Sequence, residues 1–292
     1  MKQALVEKIK QQLIKLPFKV EAAVIYGSWA RGEEKEESDI DLLVISNEVH
    51  PRKNKRGREI ALIKEKLSLG IPLDILLLTE EECISNFKHH NPLFLDIAWE
   101  GFILLDVNNL IGPLIDEVKI YILDKRLKKL DDGWVFPVVD RIPTYLCKVS
   151  HKDFAWVMLS DGERDYRIGL KIMEEGFFDK AVYHFQQSVE KAVKSVLICF
   201  GIFKKTHFIG TILLEEIKNR DIEANWKSRL SEIARISEEM EPEVTWSRYP
   251  GIDKDTLWIP YEEYILDDAK EYAEKSKHVL DIAKGFFIWW FK

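Results

Sequence analysis

The residues best suited to chemistry are two aspartates one residue apart, Asp39 and Asp41, at the head of the apolar run Ile40-Asp41-Leu42-Leu43-Val44. Residues two apart on a strand project to one face, so these carboxylates share a surface. Like charges side by side are costly unless a cation neutralises them. Just ahead lies Gly27-Ser28-Trp29-Ala30-Arg31-Gly32, a turn of small residues whose backbone N–H groups can face phosphate. Phosphate-facing amides beside carboxylates that can ligate Mg²⁺ read as a site for a nucleoside triphosphate. A third acid, Asp74, interrupts Ile71-Pro72-Leu73-Asp74-Ile75-Leu76-Leu77-Leu78. Taken alone it reads as a strand-end or edge residue. Set beside the first pair, it would complete a trio able to bind two Mg²⁺ ions, which keep several waters and favour carboxylate and phosphate oxygens. One ion would lower the pKa of an attacking hydroxyl, and the other would hold the triphosphate and the leaving pyrophosphate.

The elements needed to bring these groups together are legible in the sequence. A helix is expected over 2–15 and a strand over 20–26, with a short helix from Ser28 whose N-terminus would add its dipole to phosphate binding. Strands follow at 40–46 and 71–78, and a helix over 59–67 returns the chain so that the second lies beside the first. Thr79-Glu80-Glu81-Glu82 has the form of a capping box, and 102–105 adds a final strand. The stretch 115–130 reads as helical and increasingly basic until Asp131-Asp132-Gly133-Trp134, Pro137 and Pro143 break it.

The order Gly27-Ser28, Ala30-Arg31-Gly32, Asp39-x-Asp41 and Asp74 resembles the DNA polymerase beta-like nucleotidyltransferases in their minimal form. The resemblance implies an α/β domain with a mixed sheet and transfer of a nucleoside monophosphate from an NTP to a hydroxyl. By the same resemblance Gly27 and Ser28 bind the β- and γ-phosphates, and Asp39 and Asp41 ligate the metals. Asp74 ligates the catalytic metal and helps to deprotonate the acceptor, and Arg31 steadies phosphate or caps the turn. The expected cofactor is Mg²⁺, with Mn²⁺ as an alternative ion, and the expected donor is ATP.

Composition agrees with a globular protein. The 292 residues are 46% hydrophobic and 32% charged, which favours two domains, each large enough to bury a core. A net charge of −7 argues against a protein that coats nucleic acid, without excluding a local basic patch. Three scattered cysteines, Cys83, Cys147 and Cys199, lack metal spacing and suit a reduced cytoplasm. No apolar run approaches the ~20 residues of a membrane span, so no membrane association is expected.

From about Phe154 the pattern turns helical. Val182, Phe185, Val189, Val193, Val196 and Phe200 recur at steps of three and four, a buried helical stripe that Gly201 ends. Further helices fit 208–218, 226–240 and 261–284, giving an up-and-down bundle. Gly176-Phe177-Phe178, Ala181, His184-Phe185-Gln186-Gln187, Glu190-Lys191-Ala192, Lys194, Thr206-His207 and Arg248-Tyr249-Pro250 resemble the HEPN family of helical domains. The expected organisation is a nucleotidyltransferase domain over 1–130, a linker over 131–152 and an all-α HEPN-like bundle over 153–292. Ribonuclease-type HEPN proteins carry an Arg and a His four to six residues apart. Arg248 has no such partner, which disfavours RNA cleavage and the paired acid–base chemistry it needs.

Three surface features admit two readings each. His184, Gln187, Lys191 and Lys194 share a helical face. It is either a wall holding acceptor or nucleotide, with His184, Lys191 and Lys194 as contacts, or a hydrated or dimer-interface seam. Arg52-Lys53-Asn54-Lys55-Arg56-Gly57-Arg58 places five cations in seven residues. It could grip an anionic acceptor or be a solvated loop, and without interleaved aromatics it gives no support to base stacking. Phe286-Phe287-Ile288-Trp289-Trp290-Phe291 must pack on the bundle or on a second subunit, and a homodimer through the helical half is expected. The leading function is therefore a Mg²⁺-dependent nucleotidyltransferase acting on a hydroxyl of a small molecule or protein. A nucleotide-binding regulator of the toxin–antitoxin kind and an RNA-acting HEPN effector are the alternatives.

Overall fold

The computed structural model describes residues 3–35, 37–146, 148–253 and 255–292, so Cys147 and the first residue of the helix expected over 2–15 lie outside the described residues. The chain divides into two compact units, Met1–Arg126 and Leu127–Lys292.

The first unit runs α1 (Gln3–Ile14), β1 (Ala22–Tyr26), α2 (Gly27–Arg31), β2 (Ile40–Ile45), a 3₁₀ turn (Lys53–Lys55), α3 (Gly57–Leu67), β3 (Leu73–Leu78), α4 (Glu80–Lys88), α5 (Pro92–Glu100), β4 (Phe102–Asp106) and α6 (Ile111–Asp124). The four strands form one mixed sheet in the order β3-β2-β1-β4, parallel between β2 and β3 and antiparallel elsewhere. Alternation along the strands gives the sheet two faces. Ala23, Ile25, Ile40, Leu42, Val44, Leu73, Ile75 and Leu77 form one and pack with Ile9, Leu13, Ile63 and Leu67 of α1 and α3. The other face carries Tyr26, Asp41 and Asp74 at one end. The Thr79 hydroxyl accepts from the Glu82 N–H at 3.3 Å, and Glu82 accepts from the Thr79 N–H at 2.9 Å, completing the capping box that opens α4.

The second unit runs β5 (Lys128–Leu130), β6 (Gly133–Val135), α7 (His151–Glu174), α8 (Phe178–Cys199), β7 (Ile202–Lys204), α9 (Gly210–Asn219), α10 (Ala224–Met240), α11 (Glu243–Trp246), β8 (Gly251–Asp253), β9 (Thr256–Trp258), α12 (Pro260–Glu263) and α13 (Leu266–Trp290). Its core is a bundle of long helices in which α7 and α13 pack on α8. The predicted stripe Val182, Phe185, Val189, Val193 and Val196 is buried. A Cβ at Gly169 would fall 2.6 Å from the Phe185 ring, so α7 approaches α8 closely there. The periodic reading missed short strands: β5, β6 and β7 form one antiparallel sheet, and β8 and β9 a hairpin. Three-residue strands are too short to show an alternation. The helical stretch expected to run to 130 stops at Asp124, and the helix expected over 261–284 divides into α12 and α13.

The terminal aromatics pack within the chain. Phe286 and Trp290 are buried, and the Trp290 indole N–H donates to the Cys199 carbonyl at 3.1 Å. Trp289 lies against Trp226, with the Arg141 guanidinium 4.0 Å from its ring centre. Cys83 and Cys199 are free and buried, and burial pushes the Cys83 thiol up to about 12. No helix among the described residues is long and apolar enough to cross a membrane.

Candidate active site

The first unit gathers its acidic residues through sheet register. Asp41 and Asp74 are direct partners across the parallel pair β2–β3, and Tyr26 faces Asp41 across the antiparallel pair β1–β2. Opposed residues on neighbouring strands lie on the same face, so Tyr26, Asp41 and Asp74 form a row across three strands. Asp39 precedes β2 and is exposed, as is Asp74, while Asp41 is half-buried. The Tyr26 phenol is buried and its pKa is pushed well above the usual value, first by burial and then by the charges of Asp41, Asp74 and Asp39. All three carboxylates therefore act on one point.

The turn after β1 is shaped around Asp41. Gly27 has φ +71°, and a Cβ there would collide with the Asp41 carboxylate. Only glycine combines this backbone conformation with this approach. Ser28 follows in α2, a single turn that ends at Gly32 with φ +73°. The Trp29 indole N–H donates to the Ser38 carbonyl at 3.1 Å, tying α2 to the segment that presents Asp39.

Arg31 is occupied. Its Nε donates to Glu33 and its Nη1 to Glu100, both at 2.6 Å. The hydrogen bond with Glu33, and the charge of Glu100 beside it, hold the guanidinium protonated against the opposing effect of burial. Tyr26, Trp29 and Glu100 were not singled out in the sequence. Tyr26 could have been, since it precedes Gly27 at the end of an apolar strand.

Among the described residues, no three His, Cys, Asp or Glu side chains converge tightly enough to cage a metal ion unaided. The donor set still suits Mg²⁺, which usually takes one or two carboxylates and completes its shell with water and substrate phosphates rather than an all-protein cage. Two register-paired carboxylates and a third two residues upstream, beside a turn stripped of side chain, would suit such an incomplete shell.

The basic run lies elsewhere. It follows β2, at the end of the sheet opposite Asp41; between Asp41 and Ile45 the strand advances about 13 Å. One of its cations is structural. Arg56 is 1% exposed, donating to the carbonyls of His50, Leu77 and Pro51 and, through both Nη atoms, to Glu82 at 2.6 and 3.0 Å. The run is therefore not placed to grip an acceptor held at Asp41.

In the second unit, His184, Lys191 and Lys194 are engaged by carboxylates. His184 Nδ1 lies 3.2 Å from Asp165, and Lys191 bridges Asp161 and Asp165 at 2.5 and 2.6 Å. Burial disfavours charge on Lys191 and Asp165, but their hydrogen bonds outweigh it and both stay ionised. Lys194 reaches Glu190 at 2.9 Å, and Glu190 also meets His207 Nδ1 at 3.0 Å. Arg248 stacks between Tyr183 and Tyr249, 4.9 and 4.8 Å from the ring centres.

Comparison with known proteins agrees with this architecture. A nucleotidyltransferase domain matches residues 6–104, and a HEPN domain matches residues 155–286. The candidate toxin MJ1304 of Methanocaldococcus jannaschii is 33% identical over 133 residues, 46% of this chain and 88% of that protein. The candidate protein adenylyltransferase MJ1379 of the same organism is 35% identical over 66 residues, covering 23% of this chain and 65% of that protein. Among solved structures, ST0689, an archaeal HEPN homologue, shares 22% identity over 46% of this chain and 97% of that one, with a TM-score of 0.30. The chain belongs to the HEPN family and carries a nucleotidyltransferase domain ahead of its HEPN domain.

Proposed function

We propose that the protein is a Mg²⁺-dependent nucleotidyltransferase that moves a nucleoside monophosphate, with ATP as the donor, onto a hydroxyl of a protein or small molecule. The observation that carries this reading is the direct register of Asp41 with Asp74 beside the side-chain-free turn at Gly27. Asp39, Asp41 and Asp74 would hold the metal, which supplies neutralisation of the triphosphate and of the leaving pyrophosphate. The amides at Gly27 and Ser28 bind phosphate oxygens, and Arg31 orders the turn from its position between Glu33 and Glu100. Asp74, the more exposed of the register pair, accepts the proton of the acceptor hydroxyl as that oxygen attacks the α-phosphorus.

The name of the relative MJ1379 favours an adenylyl donor and a protein acceptor. In this reading the helical unit contributes acceptor or nucleotide contacts, with His184, Lys191 and Lys194 as its polar face, and pairs two copies of the chain. The protein works in the cytoplasm. Incubation of the full chain with α-labelled ATP, Mg²⁺ and lysate fractions should release pyrophosphate and label an acceptor. Asp41→Asn and Asp74→Asn should each reduce the release by at least 100-fold, as expected when charge stabilisation at the reacting phosphate is removed. Release equal in wild type and variants rejects the reading.

A further inference from the structure

The loop between β2 and α3, with the first turn of α3, concentrates positive charge at the surface. Arg52, Lys53, Lys55 and Arg58 are all exposed, and none forms an ion pair among the described residues. Arg56, in the same loop, does face a carboxylate, that of Glu82. The four stand just before and within the first turn of α3, where the positive end of the helix dipole disfavours cations. Glu59, the acid in that first turn, is turned back to accept the His50 N–H at 2.9 Å.

The loop is also held in place. The donors of Arg56 are spent on three backbone carbonyls and on Glu82, so the segment from His50 to Arg56 is fastened to β3 and α4. Its exposed charges thus stand on a fixed base and need little ordering when a partner arrives.

We infer that Arg52, Lys53, Lys55 and Arg58 form a docking surface for the phosphate backbone of a nucleic acid, at the end of the sheet away from Asp41 and Asp74. The four charges lie within seven residues, on a 3₁₀ turn and the start of α3, and offer phosphate oxygens one concentrated positive patch. No aromatic or large apolar side chain lies within 51–58. Without such a side chain the surface cannot insert into a bilayer or stack on bases, and recognition is electrostatic and independent of sequence. On a chain of net charge −7 the run 52–58 is a local concentration of positive charge.

The test is fluorescence anisotropy of the full chain with a labelled DNA duplex of about 20 base pairs and a single-stranded RNA of similar length, across a salt series. Four phosphate contacts predict a slope of log K against log salt near −3.6 for the duplex and near −2.8 for the single strand, or about 100-fold weaker duplex binding at ~200 than at ~50 mM salt. The combined variant Arg52→Gln, Lys53→Gln, Lys55→Gln, Arg58→Gln should flatten the slope by about one for each cation removed. Its helical content and thermal midpoint should be retained, and pyrophosphate release should be unchanged, so failure here is separable from failure of the transferase reading. Absence of binding at low salt overturns the inference, as does binding unaltered by the four substitutions. Tighter binding to phosphatidylserine–phosphatidylcholine vesicles or to polyglutamate also overturns it.

Discussion

The carboxylate of Asp41 occupies the space that any side chain at Gly27 would need. The strand carrying the acid and the turn at Gly27 are thus fitted to one another at atomic contact, and a substitution at either end propagates to the other. Gly32, five residues on, has nearly the same positive φ, but a Cβ there would meet nothing within 4 Å. The two glycines separate backbone strain from collision. Gly32→Ala should cost about 1–2 kcal/mol in urea unfolding, the left-handed penalty alone. Gly27→Ala should cost more and should also abolish nucleotide transfer. Equal costs for the two would show that Asp41 moves aside freely.

The pair Arg56–Glu82 fastens the loop after β2 to the first turn of α4. Arg56→Ala removes the guanidinium from Glu82 and from three carbonyls and should destabilise the protein by about 3 kcal/mol at neutral pH. Burial pulls the Glu82 carboxyl up, but the hydrogen bonds from Arg56 and Thr79 and the charges of Arg56 and Lys53 outweigh it, so its pKa is lowered. A lowered folded-state pKa contributes stability above the unfolded value of about 4.3 and loses it as pH falls further. The gap between wild type and Arg56→Ala, followed by denaturant midpoints, should therefore narrow below about pH 4.

His151 lies fully buried at the start of α7. Its Nδ1 lies 3.0 Å from the Thr144 nitrogen and 3.3 Å from the Thr144 carbonyl oxygen, and Nε2 has no hydrogen-bond partner among the described residues. Burial lowers its pKa, more than the Thr144 backbone and the charge of Asp153 raise it. A histidine kept neutral in the fold contributes stability above its unfolded pKa of about 6.5 and loses it as the unfolded state gains a proton below that value. Thermal midpoints should decline from pH 7 to pH 5, and His151→Gln should flatten that decline even while lowering the midpoint at pH 7.

The aromatic end of α13 is part of the bundle core. Trp290→Ala should cost about 3–5 kcal/mol. Trp290→Phe, which keeps an aromatic ring but removes the N–H that the Cys199 carbonyl accepts, should cost about 1–2 kcal/mol. Truncation after Gly285 should leave the helical unit unfolded, as read by circular dichroism. Because the residue is satisfied within the chain, Trp290→Phe should sediment as the same species as wild type.

What the sequence determined by itself is what short-range physics controls. The Gly27-Ser28 turn ahead of Asp39 and Asp41 identified the nucleotidyltransferase domain. Thr79 and Glu82 announced a helix start, and the three- and four-residue steps from Val182 to Phe200 announced a buried helix. Each signal is written within a few residues and survives any tertiary context. Pairings between distant residues were decided only by folding. Arg56 and Lys55 are neighbours of the same type in a polar loop, yet one is buried against Glu82, 26 residues away, and the other is solvated. No periodicity distinguishes them, because the difference arises where β3 and α4 come to rest. The register of Asp41 with Asp74 and the seating of Trp290 under Cys199 were settled in the same way. Charge, pattern and caps choose the elements, but burial and partner choice depend on surfaces that exist only once those elements are assembled.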